Sequence, residues 1–316
     1  MNLLITGGCG FIGSNFINYI SEKYPNYFIV NVDALYYCAD EKNVNESVRS
    51  NFNYRFIKGN LRDNDFIGYI LEKYNITHVI HFAAQSHVQN SFDDSLVYSM
   101  DNVVGTHTLL ECCRIYQNKT KKLLKIIHVS TDEVYGESVN DECKNEEQSI
   151  LVPTNPYAAT KAGAEMIAMS YIKSYNLPII ITRGNNVYGP NQYPEKLIPL
   201  FIKQLKEDKQ VTIQGDGTAI RSFLHIFDVC TAFELILFKG NVGEIYNIGT
   251  HTEYSVLQIA KMLIKLIKHT DDFKSYTKFI ADRPFNDSRY FISNEKLKAL
   301  GWEITINFED GIKMLI

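Results

Sequence analysis

The chain lacks most of what would place it outside ordinary soluble globular proteins. Its six cysteines (Cys9, Cys38, Cys112, Cys113, Cys143 and Cys230) form no CxxC pair. That spacing signals neither a zinc knuckle nor a disulfide framework, so reduced thiols, no metal site and a cytoplasmic setting are expected. No apolar run reaches the roughly 18 residues that suggest a membrane span. Met1-Asn2-Leu3-Leu4-Ile5-Thr6 has neither the basic segment nor the long apolar stretch of a signal peptide. There is no long basic run, and 32 Lys+Arg against 36 Asp+Glu leave a net charge of −4. Nucleic acid and membrane are therefore not expected partners. Internal repeats and low-complexity tracts are absent too.

What is present is a globular composition, 45% hydrophobic and 22% charged over 316 residues, enough for a sizeable core. Short apolar runs at Leu3–Ile5, Phe28–Val32, His78–Phe82 and Leu124–Val129 alternate with helix-period segments at Phe11–Lys23, Phe66–Tyr74 and Val103–Tyr116. Continuous apolar strands separated by helices are what a parallel sheet covered on both faces requires. The expected class is α/β, a doubly wound parallel sheet of Rossmann type with a smaller C-terminal lobe. Ile179–Thr182 and Glu244–Ile248 extend the strand pattern, while Tyr188-Gly189-Pro190-Asn191 interrupts it. The expected division is residues 1–180 with about 222–250 in the sheet domain, and about 181–221 with 251–316 in the second lobe.

The segment from Tyr157 to Lys173 carries few charges, and its small and apolar residues run nearly all round a helix. Such a helix needs cover on two sides. One side can face the sheet, and a second copy of the chain is the expected cover for the other, giving a homodimer. The plainer alternative is that the protein's own second lobe covers it.

Gly7-Gly8-Cys9-Gly10-Phe11-Ile12-Gly13 follows the first strand directly and opens the first helix. Glycines there permit a tight turn and let a pyrophosphate approach a helix N-terminus. Asp33 ends the next strand, 20 residues past Gly13, where a carboxylate accepts from ribose hydroxyls and repels a 2′-phosphate. The first domain is therefore read as dinucleotide-binding, with NAD favoured over NADP.

Tyr-x-x-x-Lys puts a phenol and an ammonium one helical turn apart, so that the lysine can lower the phenol pKa. The pattern occurs at Tyr19/Lys23, Tyr54/Lys58, Tyr69/Lys73 and Tyr157/Lys161. Only the last follows a buried strand ending at Ser130, at the edge where open α/β sheets bind ligands. That strand runs into Ser130-Thr131-Asp132-Glu133-Val134-Tyr135-Gly136. Adjacent carboxylates on an extended strand point to opposite faces, so the chain must turn at Thr131 for both to serve one substrate. Close carboxylates raise one another's pKa, and one can then act as acid and the other as base. A capped helix start with two acids in its first turn explains the same residues equally well.

Taken together, the Gly loop, His81-Phe82-Ala83-Ala84, Asn102-Val103-Val104-Gly105-Thr106, the stretch Ser130–Gly136 and Tyr157-x-x-x-Lys161 resemble an extended short-chain dehydrogenase/reductase. Thr131-Asp132-Glu133 is similar to the nucleotide-sugar 4,6-dehydratases within that family. The stretches 183–199 and 283–291 look most like the eukaryotic UDP-glucose 4,6-dehydratases of UDP-rhamnose synthesis, and less like the bacterial dTDP-glucose enzymes.

The resemblance implies a reaction and a residue set. Tyr157, aided by Lys161, would take the O4 proton while C4 is oxidised by NAD. Thr131 would hydrogen-bond O4, Glu133 would be the base at C5, and Asp132 the acid that protonates the departing O6. Return of the hydride to C6 regenerates NAD and yields a 4-keto-6-deoxy sugar. Cofactor contacts would come from Gly7, Gly10, Phe11, Ile12, Gly13, Asp33, Asn60, Leu61, Ala83, Asn102, Tyr157 and Lys161. Substrate contacts would come from Ser86, Gln89, Asn186, Lys196, Arg221 and Arg289, the cations serving the diphosphate. Gln89 stands where the family usually has Asp, and Asn60 also replaces an Asp. An amide with two donors at residue 89 suits an acetamido group as readily as a hydroxyl, so UDP-glucose and UDP-N-acetylglucosamine are both expected candidates. Two other readings remain: a UDP-hexose 4-epimerase, which has no use for the carboxylate pair, and a non-catalytic NAD-binding module. His81 and His128, in apolar strand stretches, are read as core.

Overall fold

A computed structural model describes residues 1–138, 142–146, 148–282 and 285–316. Seven parallel strands form the main sheet: β1 (Asn2–Thr6), β2 (Phe28–Asp33), β3 (Tyr54–Lys58), β4 (His78–His81), β5 (Lys125–Thr131), β6 (Ile179–Gly184) and β10 (Ile245–Ile248). Their spatial order is β3-β2-β1-β4-β5-β6-β10. The winding therefore reverses between β1 and β4, which opens a crevice at the carboxyl ends of those strands.

Alternation along β1 shows why the sheet is covered on both faces. Leu3 and Ile5 enter one core with Phe16, Phe233 and Ile236, whereas Leu4 enters the other with Leu109, Leu110 and Tyr171. The helices Phe11–Lys23 and Ile226–Lys239 pack on the first face; Asn64–Lys73, Gly105–Thr120 and Pro156–Tyr175 cover the second. A π-helical turn at Ser99–Val104 leads into Gly105–Thr120, so regular α-helix begins two residues later than the pattern starting at Val103 suggests.

Smaller sheets lie beyond. β7 (Asn186–Tyr188) pairs parallel and β11 (Glu253–Ser255) antiparallel with β9 (Ile220–His225); β8 (Val211–Gln214) pairs parallel with β12 (Thr277–Ile280). A third apolar core gathers Tyr188, Ile198, Phe201, Leu205, Ile213, Leu263, Phe308 and Ile312. Arg283 and Pro284, at the start of the 283–291 stretch, lie outside the described residues.

No helix among the described residues is long and apolar enough to cross a membrane. Among them too, no group of three or more His, Cys, Asp or Glu side chains is placed to hold a metal ion.

Candidate active site

The crevice between β1 and β4 is lined by Gly7, Gly10, Phe11, Ile12, Gly13, Asp33, Asn60, Leu61, Ala83, Ser86, Tyr157, Lys161 and Lys196, so one cavity unites most of the expected cofactor residues. Gly7 adopts φ +72°, and a Cβ there would stand 2.5 Å from the Ala83 nitrogen. A Cβ on Gly13 would stand 2.3 Å from the Gly7 carbonyl oxygen. Only glycine keeps this cradle open at the start of the first helix, so the residues present fit a dinucleotide pyrophosphate. Asp33 accepts from the Cys9 N–H at 2.9 Å and the Leu35 N–H at 2.8 Å. Burial raises its pKa, and these two bonds oppose that rise. Asn60 donates to the Tyr36 hydroxyl at 3.1 Å and accepts from the Arg62 N–H at 3.0 Å.

Asn102 is placed differently from the other expected cofactor residues. It is buried behind the cavity wall, where Oδ1 accepts from the Gln85 N–H at 2.7 Å and Nδ2 donates to Thr160 Oγ1 at 2.9 Å. It ties the loop after β4 to the helix Pro156–Tyr175.

Apart from Lys196, sequence reasoning missed the outer wall. The segment 190–196 reaches across the cavity: Tyr37 donates to Glu195 at 2.9 Å, and the Tyr37 and Tyr193 rings meet edge to face at 5.4 Å. Lys196 Nζ donates to the Ser86 carbonyl at 2.9 Å, closing the strap onto the loop after β4. These partners are more than a hundred residues apart in sequence, so no local pattern announces them.

Beside the crevice, β5 ends at Thr131 and the chain turns into a 3-10 helix, Asp132–Tyr135. The Thr131 side chain caps it, accepting from the Glu133 N–H at 3.3 Å. The cap geometry and a juxtaposed acid pair thus coexist. Asp132 is 2% exposed, and burial first, then the neighbouring Glu133 charge, pushes its carboxyl up to about 7. Asn185 Nδ2 donates to Asp132 Oδ2 at 2.7 Å, and Asn155 Nδ2 donates to Glu133 Oε2 at 2.9 Å. Asn155 is also the N-cap of Pro156–Tyr175, accepting from the Ala158 N–H at 2.9 Å, with Pro156 at the first helical position.

Tyr157 lies in that first turn and is buried, its backbone N–H donating to Ser91 Oγ at 3.2 Å. The expectation that Lys161 lowers the phenol pKa is corrected here. Burial and the Glu133 charge raise Tyr157, while Lys161 Nζ donates instead to the Val129 carbonyl at 2.7 Å. Burial brings Lys161 down to about 8. Behind it His81 and His128 are fully buried, and burial lowers both, His81 to about 3.

Of the expected substrate cations, Arg221 borders this cluster. Arg221 is oriented by the carbonyl oxygens of Ile220 (2.7 Å) and Asp287 (2.8 Å) and lies 5.0 Å from the Tyr290 ring centroid. Its charge acts on Asp132. Arg289 is held by Glu253 through a two-pronged pair at 2.7 and 2.6 Å and packs 4.5 Å over Phe291. Asn186 is exposed on β7; Gln89 lies half-buried on the short helix Val88–Asp93.

Residues 4–315 match the GDP-mannose 4,6 dehydratase family. The chain belongs to that family. It is 50% identical, over 99% of its own length, to an Arabidopsis thaliana trifunctional UDP-glucose 4,6-dehydratase/UDP-4-keto-6-deoxy-D-glucose 3,5-epimerase/UDP-4-keto-L-rhamnose-reductase. It spans 46% of that protein, about half its length. It is 45% identical to the dTDP-D-glucose 4,6-dehydratase of Homo sapiens, covering 99% of this chain and 88% of that one. Among solved structures, the dTDP-glucose 4,6-dehydratase of Streptomyces venezuelae with NAD bound superposes with a TM-score of 0.92 at 36% identity, covering 99% of this chain and 95% of the other.

Proposed function

We propose that this family member is an NAD-dependent nucleoside-diphosphate-hexose 4,6-dehydratase that acts on a UDP-hexose, UDP-glucose or UDP-N-acetylglucosamine. One observation carries the reading: a buried carboxyl at about 7, Asp132, stands beside a second carboxylate, Glu133, and both charges act on the buried Tyr157 phenol. An epimerase abstracts no C5 proton and gives such a pair nothing to do. The kinship to UDP-glucose and dTDP-glucose 4,6-dehydratases supports the reaction class.

NAD, when bound, supplies the hydride acceptor at C4 and the donor at C6. The chain's own residues do the rest. Tyr157 holds the proton taken from O4, and Lys161, below about 8, keeps a positive charge at that place. Glu133 takes the proton from C5 and Asp132 gives one to O6, so that water leaves. Roles in binding stay as the sequence suggests: Gly7, Gly10, Phe11, Ile12, Gly13, Asp33, Asn60, Leu61 and Ala83 for the cofactor; Ser86, Gln89, Asn186, Lys196, Arg221 and Arg289 for the nucleotide sugar. Asn102 serves the cofactor by shaping the wall. The third core belongs to a nucleotide-sugar lobe, divided from the sheet domain as above.

The homodimer belongs to the same proposal. Met166 on the helix Pro156–Tyr175 is 49% exposed, and Met100 and Val104, at the start of the neighbouring helix, are 43% and 40% exposed. A second copy would cover them.

Separate incubation with UDP-glucose, UDP-N-acetylglucosamine and dTDP-glucose, followed by NMR of the products, tests the reading. A 4-keto-6-deoxy product from one of the UDP-sugars is expected. Turnover of dTDP-glucose alone overturns the UDP assignment, and a C4-epimer overturns the dehydratase.

A further inference from the structure

Arg221 is held by its own chain. Nη1 donates to the carbonyl oxygens of Ile220 at 2.7 Å and Ser288 at 3.2 Å, and Nη2 donates to the Asp287 carbonyl at 2.8 Å and Asn286 Oδ1 at 3.1 Å. A guanidinium has five N–H donors, and these bonds occupy the four on its terminal nitrogens. Among the described residues the fifth, on Nε, has no acceptor, so it and the charge remain for a phosphate oxygen. The group also lies 5.0 Å from the Tyr290 ring centroid. Three of the four acceptors and the ring come from one short segment, residues 286–290.

Asp287 belongs to that segment and is 2% exposed. Thr154 Oγ1 donates to its carboxyl, 2.8 Å from either oxygen, and the Tyr290 hydroxyl donates to Oδ2. Burial first, then the Glu133 charge, raises the Tyr290 phenol, which keeps the proton it donates. Asp287 thus reaches Arg221 twice, through its own carbonyl and through the ring beside the guanidinium. Thr154 carries the same carboxyl to the catalytic turn. The next residue, Asn155, donates to Glu133 Oε2 at 2.9 Å and caps the helix that bears Tyr157.

We propose that Asp287 is a positioning residue that fixes the Arg221 guanidinium in register with the acid pair, so that a nucleoside diphosphate bound at Arg221 sets its hexose over Glu133. This alignment presupposes the nucleotide-sugar reading and the place it gives to Arg221. A fork oriented in advance loses less freedom when a phosphate binds. The Thr154 bond sets the distance from that fork to the base at C5, where a displacement of about 1 Å can slow the chemistry about 10²-fold. The segment has other anchors: the Ile220 N–H donates to the Ser288 carbonyl at 2.8 Å and the Ser138 N–H to the Arg289 carbonyl at 3.0 Å. These remain when the Asp287 side chain is shortened, so the segment keeps its place and loses only its finer alignment.

The test uses the NAD-loaded protein and the nucleoside diphosphate, UDP or dTDP, of whichever sugar the wild type turns over. By calorimetry, Asp287→Ala should weaken its binding about tenfold, a loss of the size found between coupled neighbours. Asp287→Asn still accepts from the Tyr290 hydroxyl and can donate to Thr154 Oγ1, and should stay within about threefold of wild type. Arg221→Ala combined with Asp287→Ala should bind no more weakly than Arg221→Ala alone, because no cation is left to align. Thr154→Val cuts the tie to the catalytic turn and leaves the fork, so the diphosphate should bind within about threefold of wild type while kcat falls about tenfold or more. NAD content should be unchanged throughout, which a general loss of structure would not spare.

Wild-type diphosphate affinity in Asp287→Ala, additive losses in the double variant, wild-type kcat in Thr154→Val, or loss of NAD along with diphosphate binding would each overturn the proposal. If Asp287→Ala does not fold, Tyr290→Phe, which deletes one hydroxyl, decides: weaker diphosphate binding supports the alignment and wild-type binding overturns it. The dehydratase reading survives all of these as long as the wild type makes its product. Absence of product from every sugar overturns that reading, while the alignment of Arg221 is still read from UDP binding.

Discussion

Lys161 Nζ donates to the main-chain carbonyl of Val129 at 2.7 Å. The lysine thus holds the helix Pro156–Tyr175 onto β5 at the point where β5 ends. Its charge acts through space on His81 and His128, lowering both, while burial and the Glu133 charge raise the Tyr157 phenol. pH dependence consequently belongs to the carboxyl chemistry of Asp132 as much as to the lysine.

The pH profile is the first expected outcome. Asp132 sits at about 7 and is needed protonated, so kcat/KM should fall as pH rises through 7, with Lys161 at about 8 steepening the loss. The linkage to stability has the same sign. A carboxyl raised in the folded state favours the fold while protonated, and that contribution is lost as pH rises toward and through about 7. Asp132→Asn should abolish product formation yet flatten the decline of melting temperature between pH 5 and 8. Melting curves of both proteins across that range check it; parallel declines would refute it.

Separation of oxidation from elimination is the second. Tyr157→Phe should leave the sugar untouched and NAD oxidised. Glu133→Gln should still oxidise C4, while deuterium exchange at C5 in heavy water falls by about 10²–10⁴, the usual contribution of a general base. Dehydration by the Glu133 variant at the wild-type rate would reduce the acid pair to a helix cap.

Asp33→Ala should empty the cofactor crevice, because Asp33 holds the Cys9 and Leu35 N–H groups as well as facing the ribose position. Acid extracts of purified wild type should contain NAD, and those of the variant should lack it. NADP in the wild-type extract would contradict the role given to Asp33.

Arg183 and Glu165 form an ion pair at 2.6 Å with side chains 2% and 0% exposed, beneath the Tyr135 ring. Arg183→Met strands the buried carboxylate and should cost about 3–5 kcal/mol, whereas replacing both partners by apolar residues should cost much less. Denaturant unfolding of the single and double variants decides between these outcomes.

For the homodimer, light scattering should give twice the chain mass of 36.2 kDa. Met166→Lys should shift it toward monomer, because a charge would be buried against the second copy. A wild-type monomer would leave the apolar face to some other cover.

The sequence alone determined what depends on near neighbours along the chain. The Gly7–Gly13 turn, Asp33 at the end of β2, the strand and helix alternation and the capped turn at Thr131 all follow from local conformational preference and hydrophobic period. The structure places them where those signals point. The tertiary fold decided everything that joins distant segments. Asn185 meets Asp132 across 53 residues, Lys161 meets Val129 across 32, and Tyr37 meets Glu195 across 158. A carboxyl at residue 132 is ordinary until burial and an asparagine from another strand end surround it. Which groups lose water together, and which donor then faces which oxygen, is set by packing, and packing leaves no periodic trace in the chain.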